Sequence, residues 1–345
     1  MRADHDSGFR LAVLNPSGRD PEQDFAVDPA AGPHPPVNFH AYAACTSGIF
    51  FRDEGRAIAS QLPVLLLLRG NFDAGQRALR LLQDAGRKVA VSLKETGSHQ
   101  IAEQLSNPRR LKALLEIVRE AHGCIAPTPG AADVYRHMRQ RDEGVAFIPT
   151  PYPLHDPAWD FSKPTELRDG IFVGTREWQV PSRNHAAALL AARQISEMTG
   201  ARVTVYNVDG REGERLLGQL GFARDKLRVL KRGASYAEYL RIVAGHKIVL
   251  EMDTSFVPGQ VAGDALLCRL PCVGGNGAVD RLGQPETCGA GRTGAELVQI
   301  ATRLLTDDSF YGRTVSESQR AAAERLSFAG VAGQLAEFFH SIASK

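Results

Sequence analysis

The stretch from Asp253 to Cys288, DTSFVPGQVAGDALLCRLPCVGGNGAVDRLGQPETC, decides the fold. It follows an apolar run, Ile248-Val249-Leu250, that reads as a strand, and Pro258-Gly259 then opens a helix carrying Asp264. Pro271-Cys272-Val273 reads as the next strand, running into Gly274 and Gly275. Strand, glycine-bearing turn, helix and strand make one unit of a parallel sheet. The first N–H groups of a helix have no intrahelical partner, so a turn of this kind can receive a phosphate. A carboxylate at Asp264, about one and a half turns into the helix, can face the same crevice and accept hydrogen bonds from a ribose. Together these features suit a nucleotide.

Outward from that stretch the same alternation recurs. Strands are expected at 170–173, 202–206, 227–230, 247–250 and 272–273, separated by helices at 184–198, 212–220, 236–243 and 259–269, with helices from 295 to the end. The first half repeats the scheme: strands at 11–14, 64–68, 88–93, 124–126 and 145–148, a helix–strand passage at 39–51, and helices at 73–85, 101–122 and 131–139. A proline-rich loop, 21–36, interrupts the first crossover. The segment 150–170 carries Pro151, Pro153, Pro157 and Pro164 with little periodicity, which marks a linker. The expected organisation is a first Rossmann-like domain over 1–150, a linker over 151–169, a second Rossmann-like domain over 170–325, and a closing helix over 326–345 that packs back on the first domain. The fold class is α/β, with two doubly wound sheets in tandem.

Composition narrows the partners. The 345 residues hold 41 Lys and Arg against 39 Asp and Glu, a balance without the basic surplus of a nucleic-acid binder. The longest apolar run, 62–68, is far short of the roughly 20 residues that cross a bilayer. Five cysteines, Cys45, Cys124, Cys268, Cys272 and Cys288, form an odd set without a Cys-x-x-Cys pair, so reduced thiols and a cytoplasmic location are expected. A metal site from Cys268, Cys272 and Cys288 matches no common zinc spacing; buried structural thiols are the expectation, and no metal is called.

Four loops hold the remaining chemistry. Gly174 to Asn184 follows the first strand of the second half and carries Arg176 and Arg183 ahead of a helix expected to be capped near Ser182. Two guanidinium groups there can hold a diphosphate and stabilise its charge as a bond to it breaks; the alternative is a pair of solvated surface residues. Lys231-Arg232-Gly233, with Ser235 as helix cap, lies where a base edge can be read, or is an ordinary connection with basic decoration. In the first half, Lys94, Glu95 and His99 gather at the crevice side, able to orient an acceptor hydroxyl, although a histidine near a helix start is more often a cap. The turn Asn15-Pro16-Ser17-Gly18 is placed to close over a leaving phosphate. No Gly-x-x-x-x-Gly-Lys-Ser/Thr loop, no Gly-x-Gly-x-x-Gly after the first strand and no Gly-x-Ser-x-Gly elbow is present, which disfavours P-loop, nicotinamide and α/β-hydrolase chemistry.

These residues resemble a GT-B glycosyltransferase of the group-1 nucleotide-sugar-dependent family, best from Gly170 to Gly275. The family grips the donor diphosphate with an Arg and a Lys on the first turn of its second domain; Arg176 matches the first and Arg183 replaces the second. Its Glu-x7-Glu signature aligns Asp264 with the ribose-binding second Glu and Gly259 with the last glycine of the intervening turn, with Gln260 opening the helix. The first Glu is absent: Phe256 stands there, and Asp253 is the nearest acid. The resemblance implies two Rossmann-like domains facing a central cleft. It further implies a metal-independent and retaining transfer from a nucleoside diphosphate sugar, which is a substrate and not a resident cofactor, to a glycan, lipid-linked or small-molecule acceptor. Peripheral attachment to the inner membrane face is compatible with it. A nucleotide-sugar 2-epimerase, or a binding partner that has lost chemistry, are the alternatives on this fold.

Overall fold

The computed structural model describes residues 8–16, 18–27, 32–70, 72–174, 178–223, 225–231 and 234–343. The chain divides into two compact units, 1–153 with 326–345, and 154–325.

The first unit runs β1 (Ala12–Leu14), β2 (Gln23–Asp24), α1 (Asn38–Ala44), β3 (Ile49–Phe51), α2 (Glu54–Ala59), β4 (Val64–Leu68), α3 (Asp73–Asp84), β5 (Val89–Leu93), α4 (Ser98–Leu105), α5 (Pro108–Glu120), β6 (Gly123–Ala126), α6 (Pro129–Arg139) and β7 (Val145–Phe147). Its sheet has the order β2-β3-β1-β4-β5-β6-β7, parallel throughout except where β2 meets β3. β4 is buried along its whole length, as a strand covered by helices on both faces must be. The helix expected over 101–122 is in fact two, α4 and α5. Pro108 cannot extend α4, and Asn107 accepts from the N–H groups of Arg109 and Arg110, so a new helix is capped there. The proline-rich loop also holds a strand, β2, whose Gln23 and Asp24 pair antiparallel with β3.

The second unit runs β8 (Ile171–Val173), α7 (His185–Thr199), β9 (Val203–Tyr206), α8 (Arg211–Gln219), β10 (Leu227–Leu230), α9 (Tyr236–Val243), β11 (Ile248–Leu250), α10 (Gln260–Leu267), β12 (Cys272–Val273), α11 (Ala278–Gly283), α12 (Gly294–Thr306) and α13 (Asp308–Arg325). Its sheet is wholly parallel in the order β10-β9-β8-β11-β12. Residues 154–169 are not a free linker. Trp159 packs its ring against Phe161 and Tyr236, and the Phe161 N–H bonds the carbonyl of Leu267, so aromatic burial ties this proline-rich segment to the second unit. The last helix, α14 (Phe328–Ser341), belongs to the first unit, where Val331, Leu335, Phe338 and Phe339 join Tyr42, Phe50 and Leu65 in one core cluster.

In each unit the chain leaves one central strand toward one edge and later returns to the strand's other side. β1 leads to β3 on one side while β4 and β5 lie on the other; β8 leads to β9 while β11 and β12 lie on the other. Ligands of open α/β sheets bind beyond the carboxyl ends of strands at such a reversal. The two reversals of this kind lie at β1/β4 and at β8/β11.

Candidate functional site

At the β8/β11 reversal several backbone and side-chain bonds bring two loops together. The Thr254 N–H bonds the Ser182 carbonyl at 2.8 Å, and the Asn184 amide donates to the Met252 carbonyl at 2.9 Å and to the Thr254 hydroxyl at 3.0 Å. Pro181–Arg183 is a single 3-10 turn, and Asn184, in the left-handed region at φ 48°, precedes α7. Ser182 is consequently not the helix cap that the sequence pattern pointed to; its carbonyl serves the neighbouring loop. Arg183 then reaches across to Asp253, with which it forms an ion pair, and to the Ser255 hydroxyl at 3.2 Å. The Asp253 carboxylate also accepts from the Ser255 N–H at 2.7 Å and from its hydroxyl. With side-chain exposures of 18% and 7%, Arg183 and Asp253 form a largely buried pair.

Gly174 ends β8 with no room for a side chain, because a Cβ would run into Val261 in the first turn of α10. That close approach sets the exit of β8 against the start of α10. Gly259, at φ 92°, supplies the left-handed turn that α10 needs, and Gln260 and Val261 stand half-buried at its N-terminus. Arg183 thus meets the loop 253–255, and the same loop runs on to Gly259 and the start of α10 at Gln260. Asp264, one turn further in, is 1% exposed and accepts a 2.5 Å hydrogen bond from the Tyr236 hydroxyl. Ser235 caps α9 through the Glu238 N–H, and Lys231 is exposed beyond β10, the edge strand. Arg176, Arg232 and Gly233 lie outside the described residues.

At the β1/β4 reversal the structure collects Asn15, Lys94 and Glu95. Asn15 is fully buried, its N–H bonded to the Phe51 carbonyl, and the Gly18 N–H closes the turn on the Asn15 carbonyl at 3.0 Å. Lys94 pairs with Asp20, whose carboxylate also receives the Asn15 amide at 3.4 Å, and Glu95 pairs with Arg69 at 3.2 Å. Burial works to raise the Asp20 carboxyl, and the hydrogen bond and charge of Lys94 override it, leaving it below the usual range. His99 is half-buried in the first turn of α4. Sequence reasoning passed over Asp20, His34 and His40. The two imidazoles stack at 3.8 Å, and His40 stacks on Phe50 at 3.7 Å. Burial, and next to it the His34 ring, lower His40 to about 4, so it is neutral near pH 7.

Sequence reasoning also missed an acidic group beside the β8/β11 reversal. Glu251 directly follows β11, Cys272 lies in β12 and Asp280 in α11; all three are buried, and one atom of each lies within 4.8 Å of the others. Among the described residues they form the trio close enough to offer three ligands to a cation. Burial, then the neighbouring Glu251 and Asp280, push the Cys272 thiol well above its ordinary range, which leaves it protonated and poor as a metal ligand. The signal available in the sequence was Gly277-x-x-Asp280, a helix start with an acid three residues on. Gly274 to Gly277 leads into α11 through that start, and the Gly277 N–H bonds Asp280 Oδ2 at 3.1 Å.

No family model and no curated protein matches the sequence. Solved structures match its fold. HepE from Anabaena, in complex with UDP and glucose, superposes with a TM-score of 0.66 at 16% identity, covering 96% of this chain and 100% of that one. A glycosyltransferase from Rickettsia africae gives 0.61 at 9% identity, covering 98% and 99%. A UDP-forming α,α-trehalose-phosphate synthase from Burkholderia xenovorans gives 0.58 at 9%, covering 85% and 79%. The chain has the GT-B fold of these proteins, with two Rossmann-like domains.

Proposed function

We propose that this protein is a glycosyltransferase that moves a sugar from a nucleoside diphosphate donor to an acceptor hydroxyl. The observation that carries the reading is the convergence at the β8/β11 reversal: a buried Arg183–Asp253 pair, the tight exit of β8 at Gly174, and the first turn of α10 opened by Gly259. Arg183 and the dipole of α10 favour a diphosphate there, and Arg176, seven residues earlier in the chain, is the second cation the sequence offers. Asp264 takes a ribose hydroxyl in the place now held by the Tyr236 hydroxyl. Gln260 lies beside the phosphates, while Lys231, Arg232 and Gly233 border the base.

In the reaction the bond from the anomeric carbon to the diphosphate breaks with its electron pair leaving on the phosphate, and the acceptor oxygen bonds the same carbon. The acceptor proton passes to the leaving phosphate if configuration is retained. Charge growing on the diphosphate is what fixed guanidinium groups and helix N–H groups stabilise most. Asn15, Gly18, Lys94, Glu95 and His99 belong to the acceptor-side unit, where Lys94 and Glu95, already charge-paired, orient hydroxyl groups instead of moving protons.

UDP is the first nucleotide to try, since HepE is seen with UDP and with UDP-glucose. A thermal-shift screen of nucleoside mono- and diphosphates and their sugars is the test, because a ligand that binds only the folded state raises its apparent stability. A shift with a diphosphate and none with the matching nucleoside supports the reading. No shift with any member of the panel, at millimolar concentration, refutes it.

A further inference from the structure

Four loop contacts in the second unit join the segment 253–259 to the segment 274–279. The Asn276 N–H bonds the Asp253 carbonyl at 3.1 Å, and its side-chain oxygen accepts the Phe256 N–H at 3.1 Å. The Ala278 and Val279 N–H groups bond the carbonyls of Val257 and Pro258, each at 2.9 Å. Asp280 sits behind all of them. Its Oδ2 holds the Gly277 N–H, and a Cβ at Gly259 would lie 2.7 Å from that oxygen, so Asp280 is packed directly under the turn that opens α10. A side chain at Gly275 would collide with both Asp280 Oδ1 and Glu251 Oε1, which places these two oxygens side by side.

Two ionised carboxylates cannot share that position. Asp280 Oδ1 is buried and finds no donor among N–H and hydroxyl groups, and Glu251 hydrogen-bonds Asp280 only if it carries a proton. We propose that Glu251 and Asp280 share one proton, and that this pair positions the 253–259 turn, and with it the start of α10, for the nucleotide diphosphate. The inference rests on the glycosyltransferase reading for its ligand and on the packing for everything else. Asp280 is then a positioning residue: it touches the turn, not the substrate.

The groups facing the pair are few. Cys272 from β12 donates its thiol to Glu251 Oε1 at 3.3 Å, Asp253 adds negative charge from the 253–255 loop while held by Arg183, and Asp264 of α10 acts on Cys272. Burial first, and then the charges of Asp280 and Asp253, raise Glu251 well above its ordinary range. A raised acid favours the folded state at low pH, and that contribution is lost as pH rises through the folded value. Burial also raises Asp280, to about 6, so the pair supplies a falling slope from the ordinary carboxylate value of 4.5 upward, and the window to measure runs from about pH 5 to 8.5.

The test measures melting temperature across that window without ligand, and donor binding and KM at both ends, for wild type, Glu251→Gln, Asp280→Asn and Asp280→Ala. Glu251→Gln keeps a donor for Asp280 Oδ1 and removes the Glu251 carboxyl, leaving only Asp280 of the pair, raised by burial to about 6, to titrate. Its melting temperature should fall across the window by less than half as much as that of wild type, with donor KM at the lower pH unchanged. Asp280→Asn keeps the acceptor for Gly277 and should preserve KM, whereas Asp280→Ala should raise donor KM roughly tenfold with kcat little altered, as expected for a displaced turn. An unchanged slope in Glu251→Gln, a stoichiometric metal in the purified protein, or a lower melting point in Asp280→Ala with KM intact would each overturn the proposal. If Asp280→Ala does not fold, the slope of Glu251→Gln and the KM of Asp280→Asn still decide. A wild type that binds no nucleotide sinks the parent reading, and the ligand-free slope then judges the shared proton alone.

Discussion

Replacing Arg183 by alanine should do two separable things. Asp253, 5% exposed, would lose its cation and keep only the N–H and hydroxyl of Ser255 as donors. Breaking a buried pair from one side costs about 3–5 kcal/mol, and the two remaining donors favour the lower end, about 3 kcal/mol. For a unit of this size that corresponds to a fall of roughly 6–12 °C in melting temperature. Adding Asp253→Asn removes the stranded charge and should return most of the loss. Diphosphate affinity behaves differently. Losing one charge-assisted contact costs about 2 kcal/mol, roughly thirtyfold in Kd, and neutralising Asp253 does not restore a cation. Calorimetric titration of UDP into wild type, Arg183→Ala and the Arg183→Ala/Asp253→Asn double variant, beside thermal melts, separates the two effects. A double variant that regains both stability and wild-type affinity would show that Arg183 is the counter-ion of Asp253 and nothing more.

Two further predictions use the same crevice. Tyr236→Phe removes the hydroxyl that now occupies Asp264, so a nucleoside diphosphate should bind more tightly to the variant, while its 2′-deoxy form should not gain; equal gains for both would remove the ribose from Asp264. His185 stacks on Trp178 at 4.1 Å with neither ring nitrogen hydrogen-bonded, and burial lowers it to about 4. A base whose folded value is depressed contributes fully above its unfolded value near 6.5 and loses that contribution as pH falls toward 4, a total of about 3 kcal/mol. His185→Phe should therefore flatten part of the acid limb of a pH–stability curve, and an identical acid limb would contradict this.

The strand and helix order was legible because the central β-strands here are buried on both faces, which writes continuous apolar runs such as Val64–Leu68 into the chain. Glycines marked the reversals for the same local reason: Gly259 adopts a positive φ, and Gly174 permits contact with Val261. What resisted reading was set by distance in sequence. The break at Asn107-Pro108 was a local signal left unused, but the Arg183–Asp253 pair spans 70 residues and joins two loops without a periodic pattern. Glu251 stands just past a strand with no motif around it, and only the fold reveals Asp280 against it. The meeting of Asn15, Asp20 and Lys94 likewise depends on β1 lying two strands from β5.

Phe256 raises the last question, because it stands where the resembling family has its first glutamate. Asp253 cannot substitute for that acid while Arg183 and Ser255 hold it. Phe256 itself is 45% exposed and sits at φ 53°, a conformation that costs a bulky residue about 1–2 kcal/mol. The Arg281 guanidinium lies 5.3 Å from its ring centre, and a cation–π contact at an exposed site returns only about 0.5–1 kcal/mol. Glycine at this position would relieve the strain and lose the ring contact, so Phe256→Gly should change stability by less than about 1 kcal/mol. Under the glycosyltransferase reading proposed above, the strained and exposed ring would stack on the apolar face of the transferred sugar. Phe256→Gly should then lower kcat/KM for the donor sugar by roughly tenfold, a loss of about 1.4 kcal/mol, while leaving UDP affinity unchanged. Equal losses for UDP and for the sugar donor would assign the effect to a displaced turn, and no loss at all would leave Phe256 a strained residue without a catalytic purpose.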